Sequence, residues 1–249
     1  MGVNYEVKLM QRTGKSGFTL VELAVVLIII GIIVTGIVSG KELIRNSKLT
    51  AVVTSMQNYL IATNTFREQY DGLPGDIDNA TTLWTGVADG NADDQISTYN
   101  TEGLEAWKQL AESFNIKGNY TGTTADGDNI SLGIDVPLGS FDTTGYWMAY
   151  EATASGYAYE DGNYIKYSSP NPAGGTGDLL EASLTPEDAR TIDLKMDDGV
   201  SSTGLVFSVN GVTAQAAAAA SQCFVNIGGV DNYRLTNTLK SCQVWLIVK

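Results

Sequence analysis

The chain has 249 residues, no histidine, and 15 Lys and Arg against 28 Asp and Glu, a formal charge of −13. Without histidine, His-based triads, His general bases and His-ligated zinc are excluded, and two cysteines cannot complete a four-thiolate metal cage. The acidic balance argues against a nucleic-acid partner, whose phosphates demand a basic face, and no such face is visible after residue 48.

Residues 18–38, FTLVELAVVLIIIGIIVTGIV, contain one ionisable group, Glu22. As a helix this run spans about 31 Å, the thickness of a bilayer's hydrocarbon region. It is preceded by Lys8, Arg12 and Lys15 against Glu6, a basic flank that predicts a cytoplasmic N-terminus and an extracytoplasmic remainder. A secretory signal peptide fits poorly, because the run exceeds the usual apolar length and no A-x-A-like site closes it. A plain single-pass anchor leaves Glu22 unexplained, since an acid within the span is costly and asks for a cation.

Lys15-Ser16-Gly17 followed by Phe18-Thr19-Leu20-Val21-Glu22 and the apolar run resembles the class III signal of type IV prepilins and type II secretion pseudopilins. The resemblance covers residues 14–38. It implies cleavage by a prepilin peptidase between Gly17 and Phe18, N-methylation of the new Phe18 amine, and pairing of Glu22 with the Phe18 amine of a neighbouring subunit. Residues 1–17 are then a leader peptide, 18–38 a transmembrane and filament-core helix, 39–70 its amphipathic continuation, and 71–249 an extracytoplasmic head. Many members of the family carry a proline near the middle of this helix; here none occurs before Pro74, so no Pro kink is expected.

The apolar stripe continues through Leu49, Val52, Val53, Met56, Tyr59, Leu60, Thr63, Phe66 and Tyr70 at three- and four-residue intervals, which predicts one helix over 18–70. Gly31, Gly36 and Gly40 lie in its first half, where close helix packing and ordinary tolerance of glycine in membrane helices are both open readings. Asp71-Gly72-Leu73-Pro74 should end it, with Gly as the cap. Residues up to about 101 read as a long surface loop anchored by Trp84. Residues 102–114 predict a second helix with Leu104, Trp107, Leu110, Ala111 and Phe114 on its apolar face.

Strands are expected at 130–136, 146–153, 156–167, 205–209 and 244–248, and a helix at 186–197 from Thr185-Pro186-Glu187-Asp188. The whole predicts an α+β, pilin-like architecture, an antiparallel sheet on the second half of the long helix with large loop insertions. Tyr146, Trp147, Tyr150, Tyr157, Tyr159, Tyr164 and Tyr167 are read as core and cross-strand pairs in preference to an exposed grip on a partner or sugar. No chemistry is read in the alanine-rich 214–220 segment.

In an oxidising compartment Cys223 and Cys242 read as a disulfide rather than a metal or catalytic pair, with two free thiols as the alternative. The resemblance agrees, since many type IV pilins close a C-terminal loop this way and many pseudopilins do not. Asp89, Asn91, Asp93 and Gln95 alternate like the start of a calcium loop, but Asp94 stands where a turn glycine is needed and Asn100 where a Glu is needed. The competing reading is a solvated polar loop, and 126–129 is a weaker echo of either. No other cofactor is expected.

The function expected is therefore structural, a pilin or pseudopilin of a type IV pilus-like filament. Its partners are a prepilin peptidase, like subunits and the bacterial inner membrane, with the head periplasmic before assembly. The alternatives are a type II secretion minor pseudopilin and a membrane-anchored binding module or enzyme. The chain has no Gly-rich phosphate loop or nucleophile motif, so no enzyme is expected.

Overall fold

The structure, a computed structural model, describes residues 17–97, 102–124, 130–155, 158–170, 181–211 and 221–249. The chain forms two compact units, one ending at Arg45 and one comprising Asn46–Lys249. Helix α1 runs from Leu20 to Tyr70 without a proline. From Leu20 to Ser39 its side chains are exposed all round.

In the second unit Leu49, Val52, Val53, Met56, Ala62, Thr63 and Phe66 are buried, the 3–4 spacing that places one stripe of a helix against a core. That core is the inner face of a four-stranded antiparallel sheet in the order β1-β2-β6-β3: β1 Gly145–Glu151, β2 Gly162–Ser168, β3 Val206–Asn210 and β6 Cys242–Val248. The register pairs Tyr146 with Tyr167, Met148 with Ile165, Ile165 with Leu246, and Val206 with Leu246. These alternate residues share one face, and all are buried in the main cluster with α1.

The opposite face is buried as well. Tyr164, Phe207, Val209, Trp245 and Ile247 form a second cluster with Ala158 and Tyr159. Every residue of β6 is buried, which explains why its sequence is almost continuously apolar rather than alternating. Lys166 also lies on this face, fully buried. It is paired with Glu151, and its ammonium sits 4.4 Å from the Trp245 ring centroid.

Helix α1 ends with Asp71, not Gly72, in the left-handed conformation at φ 55°, its N–H bonding Arg67 O at 2.9 Å. The segment that follows is more buried than a surface loop, with Leu73, Ile77, Ala80 and Val87 in the core and one helical turn, α2 Ala80–Leu83. Trp84 packs edge-on to Tyr70 at 5.0 Å. Gly75 is required where it stands: its φ is +89° and a Cβ there would lie 2.2 Å from Glu102 O.

Helix α3, Glu102–Glu112, buries Leu104, Trp107 and Leu110 as expected. It stops before Phe114, which takes φ 59° and is 93% exposed, contrary to its expected place on the apolar face. The Asn115 N–H returns to Leu110 O at 3.0 Å, so the chain turns away before the ring can reach the core.

The expected strand at 130–136 is absent. Gly133 at φ +81° breaks it, and the segment folds around buried Asp135, which accepts from the Thr121 hydroxyl at 2.6 Å and from the Ser131 N–H at 2.7 Å. The second strand of the central hairpin begins at Gly162 rather than 156, because Asp161 accepts from the Thr153 N–H in the connection. Helix α4, Pro186–Met196, starts as anticipated, with the Asp188 N–H donating to Thr185 Oγ1. A hairpin of β4 Phe224–Ile227 and β5 Val230–Tyr233, turning at Gly228-Gly229, was not foreseen. Residues 126–129, Tyr157 and 214–220 lie outside the described residues.

Candidate processing and assembly segment

Phe18 is 83% exposed, and every apolar side chain from Leu20 to Val38 is likewise open. The most apolar 18-residue window has a mean hydropathy of 2.9 and none of it is buried. Burying each Leu, Ile or Val removes about 1.5–3 kcal/mol of unfavourable hydration, so such a surface requires lipid or other helices around it. A Cβ added at Gly17, Gly31, Gly36 or Gly40 would meet nothing within 4 Å. None of these glycines is needed for packing within the described fold, and each leaves backbone open to an approaching surface.

Glu22 is held locally. The Thr19 N–H donates to Glu22 Oε2 at 2.7 Å, the Thr19 hydroxyl donates to the same oxygen at 2.9 Å, and the Glu22 N–H donates to Thr19 Oγ1 at 3.3 Å. This is a reciprocal capping box, which satisfies amides at the start of α1 and fixes the carboxylate beside the residue that follows Phe18. Thr19 is thus a positioning residue that reasoning from charge alone passed over. Its signal was present, as Thr-x-x-Glu ahead of an apolar run.

At the other end of the chain Cys223 and Cys242 are joined by a disulfide, with Cα atoms 5.0 Å apart and both residues fully buried. The bond closes a segment containing the β4–β5 hairpin and fastens it to the first residue of β6.

The Asp89–Gln95 loop is organised by its own side chains. Asp89 accepts from the Thr81 N–H and hydroxyl at 2.7 and 2.9 Å, Asn91 Oδ1 from the Asp93 N–H at 3.1 Å, and Asp93 Oδ1 from the Gln95 N–H at 2.9 Å. Beneath it, Asp76 accepts from the amides of Asp93 and Asp94 at 3.1 and 2.9 Å. Burial raises the Asp76 carboxyl above its ordinary pKa against the pull of those amides. Glu102 is raised for the same reason, with Asp76 and Asp93 adding to the effect. A cation at Asp89, Asn91, Asp93 and Gln95 would compete with bonds already made.

Another buried carboxyl sits in α4. Asp193 accepts from Tyr233 Oη at 2.8 Å and from the Gly199 N–H at 3.1 Å, and Tyr233 in turn bonds Ser208. Burial, opposed by these donors and reinforced by Asp197 and Asp198, pushes its pKa up to about 7. The network ties α4, β3 and β5 together.

Residues 12–38 match the family model of the prokaryotic N-terminal methylation motif, the signal of type IV pilins and pseudopilins. No curated protein and no solved structure gives a significant match. The match lies wholly in the N-terminal segment, and the head is an α+β, pilin-like assembly by its own geometry.

Proposed function

We propose that this chain, which carries the methylation signal of type IV pilins and pseudopilins, is a structural subunit of a type IV pilus-like filament. A prepilin peptidase cuts between Gly17 and Phe18 and methylates the Phe18 amine. Before assembly the apolar half of α1 spans the bacterial inner membrane with the head on the periplasmic side; afterwards it packs among like helices. Cleavage removes the basic leader and creates the cation that Glu22 lacks, and pairing the two charges offsets much of what apolar surroundings would charge for each alone.

One observation carries this reading: the Gly17–Glu22 signal stands directly ahead of an apolar helical run that buries none of its own surface. The capping box supports it, because Thr19 holds the Glu22 carboxylate at the helix start, one residue from the future amine. The disulfide-closed C-terminal segment favours a pilus subunit over a secretion pseudopilin.

Mass spectrometry of native material should find an N-methylated Phe18 terminus, and retention of residues 1–17 would end the proposal. Gly17→Val should accumulate unprocessed protein. Glu22→Ala should insert in the membrane and yet enter filaments poorly; normal incorporation would remove the charge-pairing step. Calcium at Asp89, Asn91, Asp93 and Gln95 is tested by calorimetry, where absence of heat at millimolar calcium discards it.

A further inference from the structure

The head is acidic, with 10 Lys and Arg against 25 Asp and Glu over residues 46–249. Two such heads repel, so a contact between them is favoured where acidic side chains are absent or a cation meets an acid. One such place is a groove of about 530 Å³. It lies between α1 and the turn after α3, lined by Asn58, Ile61, Thr65, Asn115, Ile116 and Lys117 among others, and none of its lining residues is acidic.

Phe114 stands at its edge in sequence, 93% exposed, with a left-handed backbone that is strained for a bulky residue. Asn or Gly would fit that position at lower free energy, and burial in the head gives the ring nothing in return. In the groove wall itself Ile61 is 62% exposed.

An acidic turn flanked by two exposed leucines lies elsewhere on the same head. Leu194 and Leu205 are 51% and 42% exposed, and both touch the turn at 197–199. The Leu205 N–H donates to Asp197, and a Cβ on Gly199 would meet Leu194 Cδ2 at 2.4 Å. Asp198 is exposed in that turn. The neighbouring Lys195 Nζ donates to Thr50 Oγ1 at 2.7 Å, which fixes this patch beside residue 50 of α1. The groove begins eight residues further along the helix and ends at Thr65, roughly 12–22 Å away at 1.5 Å per residue.

We infer that the groove with Phe114 receives the Leu194–Asp198–Leu205 patch of a second copy of this chain, Lys117 facing the acidic turn. Because the two patches differ and are offset along one helix, the contact is heterologous and runs head to tail, the kind that propagates a fibre instead of closing a dimer. On the filament reading the apolar helices already hold the copies together, so this contact forms at the high effective concentration that retention creates. The inference rests on the filament reading above and names the head surfaces that reading leaves open.

Two variants of the full chain, expressed in cells that assemble it, test this. Phe114→Asn should leave the head folded, with a melting temperature equal to or above the parent's, while the yield of sheared filaments drops about tenfold, as for loss of an aromatic anchor. Lys117→Cys combined with Leu194→Cys should give a ladder of covalent multimers from oxidised filaments on a non-reducing gel, and neither single variant should go beyond a dimer. Filaments that form normally with Phe114→Asn and show no ladder from the double variant overturn the head contact while leaving the filament reading intact. Absence of any polymer from the parent chain overturns the filament reading itself.

Discussion

Two stretches of α1 invert the usual relation between hydrophobicity and burial. From Leu20 to Val38 the helix is almost wholly apolar and buries nothing, whereas from Leu49 to Phe66 it is mixed and buries seven residues. The mixed stretch has found its apolar partner in the sheet. The apolar stretch has no partner among the described residues, and its composition specifies a solvent rather than a contact. One helix thus carries two kinds of instruction: a stripe says which face meets the core, and a uniform surface says that the surroundings must be non-aqueous on every side.

The sharpest way to break this contrast is to make the same kind of truncation in both stretches. Phe66→Ala, in the stripe, should destabilise the head by about 3–5 kcal/mol, as for other buried aromatics. Ile30→Ala, in the uniform stretch, should leave head melting unchanged. Thermal melts of the two variants in detergent decide it, and equal losses would erase the distinction. Next in size is the disulfide: Cys223→Ser with Cys242→Ser should cost the head about 3 kcal/mol, again with no change in membrane insertion. A reduced-against-oxidised melt of the parent gives the same comparison without mutation.

The contrast was legible in sequence because both signals are periodic and local. So were the start of α4, written in Thr185-Pro186, and the cysteine pair, written in a count of two. Features that depend on where the chain goes next were not. Phe114 has the spacing of a core residue, yet the turn at Asn115 takes it out of the helix before its ring can point inward. Asp135 turns an apolar-looking 130–136 segment around its own carboxylate, and no periodicity records that a Thr fourteen residues earlier will bond it. At the N-terminal segment Gly17, Phe18 and Glu22 were readable as a motif, whereas the role of Thr19 became plain only when its hydroxyl and amide were seen on the carboxylate.

A smaller effect belongs to the head alone and comes from proton linkage. Asp193 has its folded pKa raised to about 7 from an ordinary 3.8, so the folded state holds its proton more tightly than the unfolded chain. The stability this contributes is complete below the unfolded value and is lost as pH rises through about 7. Burial raises Asp76, Glu102 and Glu105 in the same direction, so head melting should fall as pH rises from about 4 to about 7. Asp193→Asn should flatten that slope while keeping an acceptor for the Gly199 amide. An unchanged slope would show that the proton resides elsewhere.

The smallest expected effect lies at the start of the uniform stretch. Thr19→Ala removes the side chain that both donates to and accepts from Glu22, a capping loss of about 1 kcal/mol confined to the first turn. Amide exchange in detergent should speed up at Leu20, Val21 and Glu22 and stay unchanged from the middle of the span onward, because helix fraying does not propagate past a turn already closed by its own bonds. The head should melt as the parent does. If exchange at Glu22 were unaltered, the carboxylate would be positioned by something other than Thr19, and its availability to an incoming amine would have to be explained from the neighbouring subunit alone.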